Sequence, residues 1–129
     1  MVEVKVLLVD DSAPVRTRLA SMLREIDGVD AVLETSDGQQ ALELVRASTP
    51  DAVVLDIHMP GVSGLDVLRR IKLDGAAPLV LVLTNDASEQ HRRECALHGA
   101  DYFFVKSTEF DRVIDVVSTR ASAASQRSS

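Results

Sequence analysis

Asp10, Asp11, Asp56, Thr84 and Lys106 are the residues whose types and places could do chemistry together. Each stands where an apolar run stops. Val53-Val54-Leu55 runs into Asp56, a turn signal in Pro60-Gly61 follows, and two other aliphatic runs end in Asp10-Asp11 and in Thr84. An unpaired carboxylate inside a strand costs several kcal/mol. These acids therefore belong at open strand ends, where a cation or water compensates them. Three carboxylates brought close together repel, and an oxygen-loving divalent ion is the simplest remedy. Mg2+ suits such a site, because it takes one or two carboxylates, keeps several waters and pairs with phosphate. Thr84 offers a hydroxyl to a phosphate oxygen, and Lys106 offers a point positive charge. Asp56 is the nucleophile in this reading, and the chemistry is phosphoryl transfer to a carboxylate.

Converging these residues requires strands that all end on one side. Val4–Val9 is nearly all aliphatic and β-branched, as a strand buried on both faces would be. A helix follows, with Ser12 as N-cap, Pro14 in its first turn, and Val15, Leu19, Met22, Leu23 and Ile26 at helical spacing. Asp30–Thr35 alternates as an edge strand does. A second helix runs through Leu42 and Val45 to Ser48-Thr49-Pro50, and Ala52–Asp56 is the central strand. Leu65, Leu68 and Ile71 mark a third helix, closed by Asp74-Gly75, and Leu79–Leu83 is the fourth strand. Ser88–His98 is a polar helix, Asp101–Val105 a fifth strand, and Phe110, Val113, Ile114 and Val117 a fifth helix. Residues 1–120 thus read as one domain, with 121–129 a small, polar, disordered tail. Five strands alternating with five helices imply an α/β fold, a doubly wound five-stranded parallel sheet in the order 2-1-3-4-5. Ligands bind beyond the carboxyl ends of such strands, at the switch point between the first and third. That places Asp10, Asp11 and Asp56 together.

The bulk properties narrow the function. A formal charge of −6 across 129 residues argues against a nucleic-acid surface. No apolar run spans a bilayer, and the start of the chain lacks the pattern of a secretory leader. Cys95 is the one cysteine, so no internal disulfide forms and a reducing cytoplasm is the expected location. His58 and His98 read as solvent-facing, without the spacing of zinc ligands.

Asp10-Asp11, the run Asp56-Ile57-His58-Met59-Pro60-Gly61-Val62-Ser63-Gly64, Thr84 and Lys106 resemble the receiver domain of two-component response regulators, of the CheY-like superfamily with its flavodoxin-like fold. The resemblance covers Val4 to Arg120. It implies that Asp56 accepts a phosphoryl group from a histidine kinase or phosphotransfer protein. It also implies Mg2+ held by Asp11, Asp56 and the His58 carbonyl, with Asp10 acting through water, and Lys106 touching the phosphoryl group. Thr84 and Phe103 would be the switch residues, and His58 and Asp86 would tune the lifetime of the phosphorylated state. Three residues depart from the usual pattern: Ser107, where proline after a cis bond is common; Asn85, bulkier than usual; and Phe103, often tyrosine.

The expected product is a switch rather than an enzyme, catalysing only its own phosphorylation and dephosphorylation. Its output would be contact between the fourth helix, fifth strand and fifth helix and an unknown downstream protein, or a homodimer formed on phosphorylation. Tyr102, Phe103, Phe104 and Phe110 fall close together there, as core packing, as a partner surface, or as both. Stand-alone use is the favoured form. The other readings are a receiver from a longer regulator with a DNA-binding or enzymatic output domain, a module that binds without phosphorylation, and an aspartyl-phosphate phosphatase. The phosphatase would want Asp-x-Asp where this chain has adjacent acids.

Overall fold

Ten elements alternate along the chain: β1 (Val4–Val9), α1 (Ala13–Arg24), β2 (Val29–Thr35), α2 (Gly38–Ser48), β3 (Ala52–Leu55), α3 (Gly64–Leu73), β4 (Leu79–Thr84), α4 (Glu89–Leu97), β5 (Tyr102–Val105) and α5 (Phe110–Arg127). This computed structural model describes residues 4–59, 63–74 and 78–127, the last four by backbone only. Pro60, Gly61, Val62 and Gly75, singled out above as turn residues, lie outside the described residues, as do residues 128 and 129 of the expected tail. The strands form one parallel sheet in the order β2-β1-β3-β4-β5, the flavodoxin-like arrangement expected. β2 lies at one edge and is only half-buried, as its weak alternation suggested.

The inner strands read as unbroken apolar runs because successive side chains leave opposite faces. Val6 and Leu8 of β1, Val54 of β3, and Leu81 and Leu83 of β4 pack on one side with Leu19 and Leu23 of α1 and Val113 and Val117 of α5. Leu7, Val9, Val53, Leu55, Val80 and Val82 pack on the other with residues of α2, α3 and α4. Full burial of one such side chain stabilises the fold by roughly 1.5–3 kcal/mol. The two layers fix the sheet against slippage, since a one-residue slip would exchange the faces.

Local signals set the helix ends. Ser12, Asp37, Ser63 and Ser88 are N-caps whose side chains accept from backbone N–H groups at 2.9–3.4 Å. α2 stops at Thr49, which takes a left-handed conformation with φ of 44° before Pro50.

α5 departs from expectation. The tail was read as disordered from Ala121, yet helix continues to Arg127. Ala121 is buried against the α1–α5 core and faces Gly28 across a gap that would bring an added Cβ within 3.3 Å. Small residues suggested disorder, but alanine is the best helix former and needs little room to pack.

The aromatic group divides between core and surface. Phe104 is buried in the α1–α5 core with Tyr102 stacked on it at 5.7 Å, while Tyr102 itself is 41% exposed. Phe103 faces the other layer, half-buried, with the Arg92 guanidinium 4.5 Å above its ring. Cys95 is fully buried on α4, and that burial lifts its thiol to about 11, so it packs rather than reacts.

Candidate functional site

Asp10, Asp56 and Lys106 each sit one residue past a strand, pinned there by a backbone hydrogen bond to a neighbouring strand, and Thr84 is the last residue of β4. Asp10 N donates to Thr35 O at 3.1 Å, Asp56 N to Val9 O at 2.9 Å, and Lys106 N to Thr84 O at 2.8 Å. The sheet ladder thus continues beyond the apolar runs and fixes four loop beginnings side by side.

Their side chains converge. Lys106 Nζ lies 2.8 Å from Asp10 Oδ2 and 3.0 Å from Asp56 Oδ2. Asp10 Oδ1 accepts from Ser12 N at 2.8 Å, and Asp56 Oδ1 accepts from His58 N at 3.1 Å. Both side chains are buried, at 6% and 7% exposure, while Asp11 is exposed at the mouth. Carboxylate oxygens of Asp10, Asp11 and Asp56 lie within 4.8 Å of one another. The Lys106–Ser107 bond is trans, as are the other described peptide bonds.

The electrostatics follow from crowding. Burial pushes Asp10 above its ordinary 3.8, against the pull of Lys106 and the Ser12 N–H. Burial alone would push Lys106 down, but its hydrogen bonds to Asp10 and Asp56 and their charges raise it on balance. Lys106 is therefore a firm cation at neutral pH. With all three acids ionised, one ammonium leaves two negative charges uncompensated. The donors are all hard oxygens, so site charge and donor type both fit a divalent ion such as Mg2+.

Thr84 is buried at the end of β4, and its hydroxyl oxygen accepts from Asp86 N at 3.2 Å. It is engaged by its own loop rather than by the carboxylates. Asn85 is exposed beside it. His58 and Asp86 meet directly, His58 Nε2 to Asp86 Oδ2 at 3.0 Å. Bonds from Ser88 N and from the His58 ring hold Asp86 below the usual carboxylate range.

Sequence reasoning missed two residues here. Arg16 Nη1 donates to the Asp10 carbonyl at 2.6 Å while its Nε reaches Glu34 at 3.5 Å, tying the first loop to β2. His91, in the first turn of α4, lies 3.0 Å from the same Asp86 oxygen that His58 touches. The signal in the sequence is slight: Arg16 falls one turn into α1, and His91 stands three residues after the Ser88 cap.

The geometry has known counterparts. The family model described as the response regulator receiver domain matches residues 6–118. A protein-glutamate methylesterase/protein-glutamine glutaminase from Methanospirillum hungatei is 40% identical over 106 residues, covering 80% of this chain and 31% of that protein. A nitrate/nitrite response regulator protein homolog from Haemophilus influenzae is 29% identical over 115 residues, covering 89% of this chain and 55% of that protein. This chain therefore spans less than two thirds of the length of these relatives. Among solved structures, the response regulator domain of Thermotoga maritima CheB superposes with a TM-score of 0.79 at 26% identity, covering 95% of this chain and 96% of that one.

Proposed function

The chain belongs to the response regulator receiver family, and from that premise we propose that Asp56 accepts a phosphoryl group and that the α4-β5-α5 face answers. The observation that carries this is the Lys106 ammonium held between the buried carboxylates of Asp10 and Asp56, with Asp11 beside them. A histidine kinase or phosphotransfer protein is the donor in this reading. An Asp56 carboxylate oxygen bonds to phosphorus as the bond from phosphorus to the donor's imidazole nitrogen breaks, and the electron pair stays on that nitrogen. Water later attacks phosphorus, returning the carboxylate and inorganic phosphate. Asp11, Asp56 and the His58 carbonyl would hold Mg2+, with Asp10 acting through water, and the bound ion neutralises charge on the transferring group. Lys106 supplies a further fixed positive charge that needs no rearrangement as the phosphoryl group arrives.

The switch uses groups the resting site leaves engaged elsewhere. Turning toward a phosphoryl oxygen, the Thr84 hydroxyl would give up the Asp86 N–H. Phe103 would leave Arg92 and move into the space vacated, carrying the change to the surface. Leu97 on α4 is 83% exposed and Tyr102 on β5 is part-exposed, apolar area on the face assigned to a downstream protein or to a homodimer formed on phosphorylation. No helix among the described residues is long and apolar enough to cross a membrane. We assign the protein to the cytoplasm, where phosphodonors of this kind are found.

Acetyl phosphate with Mg2+ tests the reading, with the intact mass of the chain as readout. A labile phosphate adduct that requires Mg2+ is the expected result. If neither acetyl phosphate nor a phosphorylated phosphotransfer protein yields one, a module that binds without phosphorylation becomes the better reading.

His58 and Asp86 border the phosphoacceptor, linked to each other and, through backbone N–H groups, to Asp56 and Thr84. As a pair they screen the phosphoryl group from water. Changing both to alanine is expected to shorten the lifetime of the phosphorylated form. The effect is about tenfold if the screen is worth about one hydrogen bond. An unchanged decay rate in the double variant would sink the assignment.

A further inference from the structure

We propose that His58, Asp86 and His91 form a second metal site, of the two-histidine, one-carboxylate type, that takes Zn2+. His58 Nε2 is hydrogen-bonded to Asp86 Oδ2 at 3.0 Å, His91 Nδ1 lies 3.0 Å from the same oxygen, and the three donor atoms lie within 4.8 Å of one another. Zinc binds imidazole nitrogen and carboxylate oxygen at about 2.0–2.2 Å, which makes the edge of a tetrahedral site roughly 3.3 Å. The two observed edges are within a few tenths of an ångström of that value. An ion entering here takes the place of the His58 ring's hydrogen bond to the carboxylate and of the Ser88 hydroxyl on His91 Nδ1.

The surroundings are built for a one-oxygen carboxylate ligand. Asp86 Oδ1 accepts from Ser88 N at 3.2 Å, which orients the carboxylate and leaves Oδ2 as the donor. The Ser88 hydroxyl accompanies His91 Nδ1 at 2.7 Å and accepts from His91 N, so the ring is placed by its own helix cap. The two rings meet edge to face, with centroids 5.3 Å apart, and both remain partly open to solvent. Water fills the fourth position.

This site differs in kind from the acidic one. Nitrogen donors favour zinc over Mg2+, whereas the all-oxygen cluster offers the hard donors that suit Mg2+. The ligands come from the loop after β3, the loop after β4 and the first turn of α4, so a bound ion ties these three segments together. No single stretch of sequence carries the spacing, which is why His58 read as a solvent-facing histidine.

Titration of the tag-free chain with zinc chloride in excess Mg2+, with no phosphodonor, tests the site by calorimetry. One zinc per chain is expected. His58→Ala, Asp86→Asn and His91→Ala should each weaken binding by at least about tenfold to a hundredfold, while His98→Ala and Asp11→Asn leave it unchanged. Circular dichroism shows whether each variant is folded. All three side chains are at least part-exposed, so folding should persist. Undetectable zinc binding, or binding lost with Asp11 or His98 rather than with the three ligands, overturns the proposal. Because no phosphoryl group is involved, failure here leaves the phosphoacceptor reading untouched, and the converse holds as well.

Discussion

Asp56→Asn should abolish the phosphate adduct altogether, in Mg2+ and with any donor. The amide has nearly the shape of the carboxylate and keeps an oxygen for the His58 N–H, so the loop stays in place. It lacks the nucleophilic charge, and no neighbour is placed to substitute. Asp10 is the nearest candidate, but its Oδ1 is bound by Ser12 N and its Oδ2 by Lys106, and burial raises its affinity for a proton. Asp11 stands exposed at the mouth, with no hydrogen bond to Lys106 among the described residues. The variant should also lose much of the stabilisation that Mg2+ gives the wild type, because one of the three crowded charges is gone. A phosphate adduct of wild-type yield on Asp56→Asn, located by peptide mapping on Asp10 or Asp11, would move the acceptor.

Much of this was legible because the physical constraints are strong. Runs such as Val53-Val54-Leu55 cannot be surface structure, and a carboxylate after them cannot be interior, so one argument locates the strand ends and the acids that meet beyond them. The sheet order followed from parallel strands joined by helices. What escaped depended on loops and on the far side of a helix. Nothing in the spacing of His58, Asp86 and His91 shows that two loops and a helix cap bring them to one oxygen. Arg16 is one of several arginines on α1, and only the fold shows it closing on the Asp10 carbonyl. The end of α5 was misread because alanine and serine fit disorder and helix equally well, and burial of Ala121 decides between them.

Gly64→Ala should be as damaging to the scaffold as Asp56→Asn is to the chemistry. Gly64 closes the Asp56–Gly64 run, and its backbone angles do not demand glycine. Space does. A Cβ there would meet the Asp56 carbonyl oxygen at 2.4 Å, the Ile57 Cα at 2.5 Å and the Ile57 oxygen at 2.8 Å, and all three are backbone atoms with no rotamer to yield. The first turn of α3 is also bonded at this point, with Gly64 N donating to Ile57 O at 3.0 Å. Alanine is the better helix former by about 1 kcal/mol, which would favour the variant if the site were open. Overpacking against rigid backbone typically costs about 1–3 kcal/mol and sometimes more. The clash should win, since all three atoms met are backbone, leaving a net loss of up to about 2 kcal/mol and a fall in melting temperature of up to roughly 10 °C. The atoms forced to move belong to Asp56 and the residue after it, so phosphorylation should slow by more than the loss of folded protein explains. A variant that melts with the wild type and is phosphorylated at the same rate would show that α3 has room at its start. The close approach of α3 to β3 could then not be what fixes Asp56.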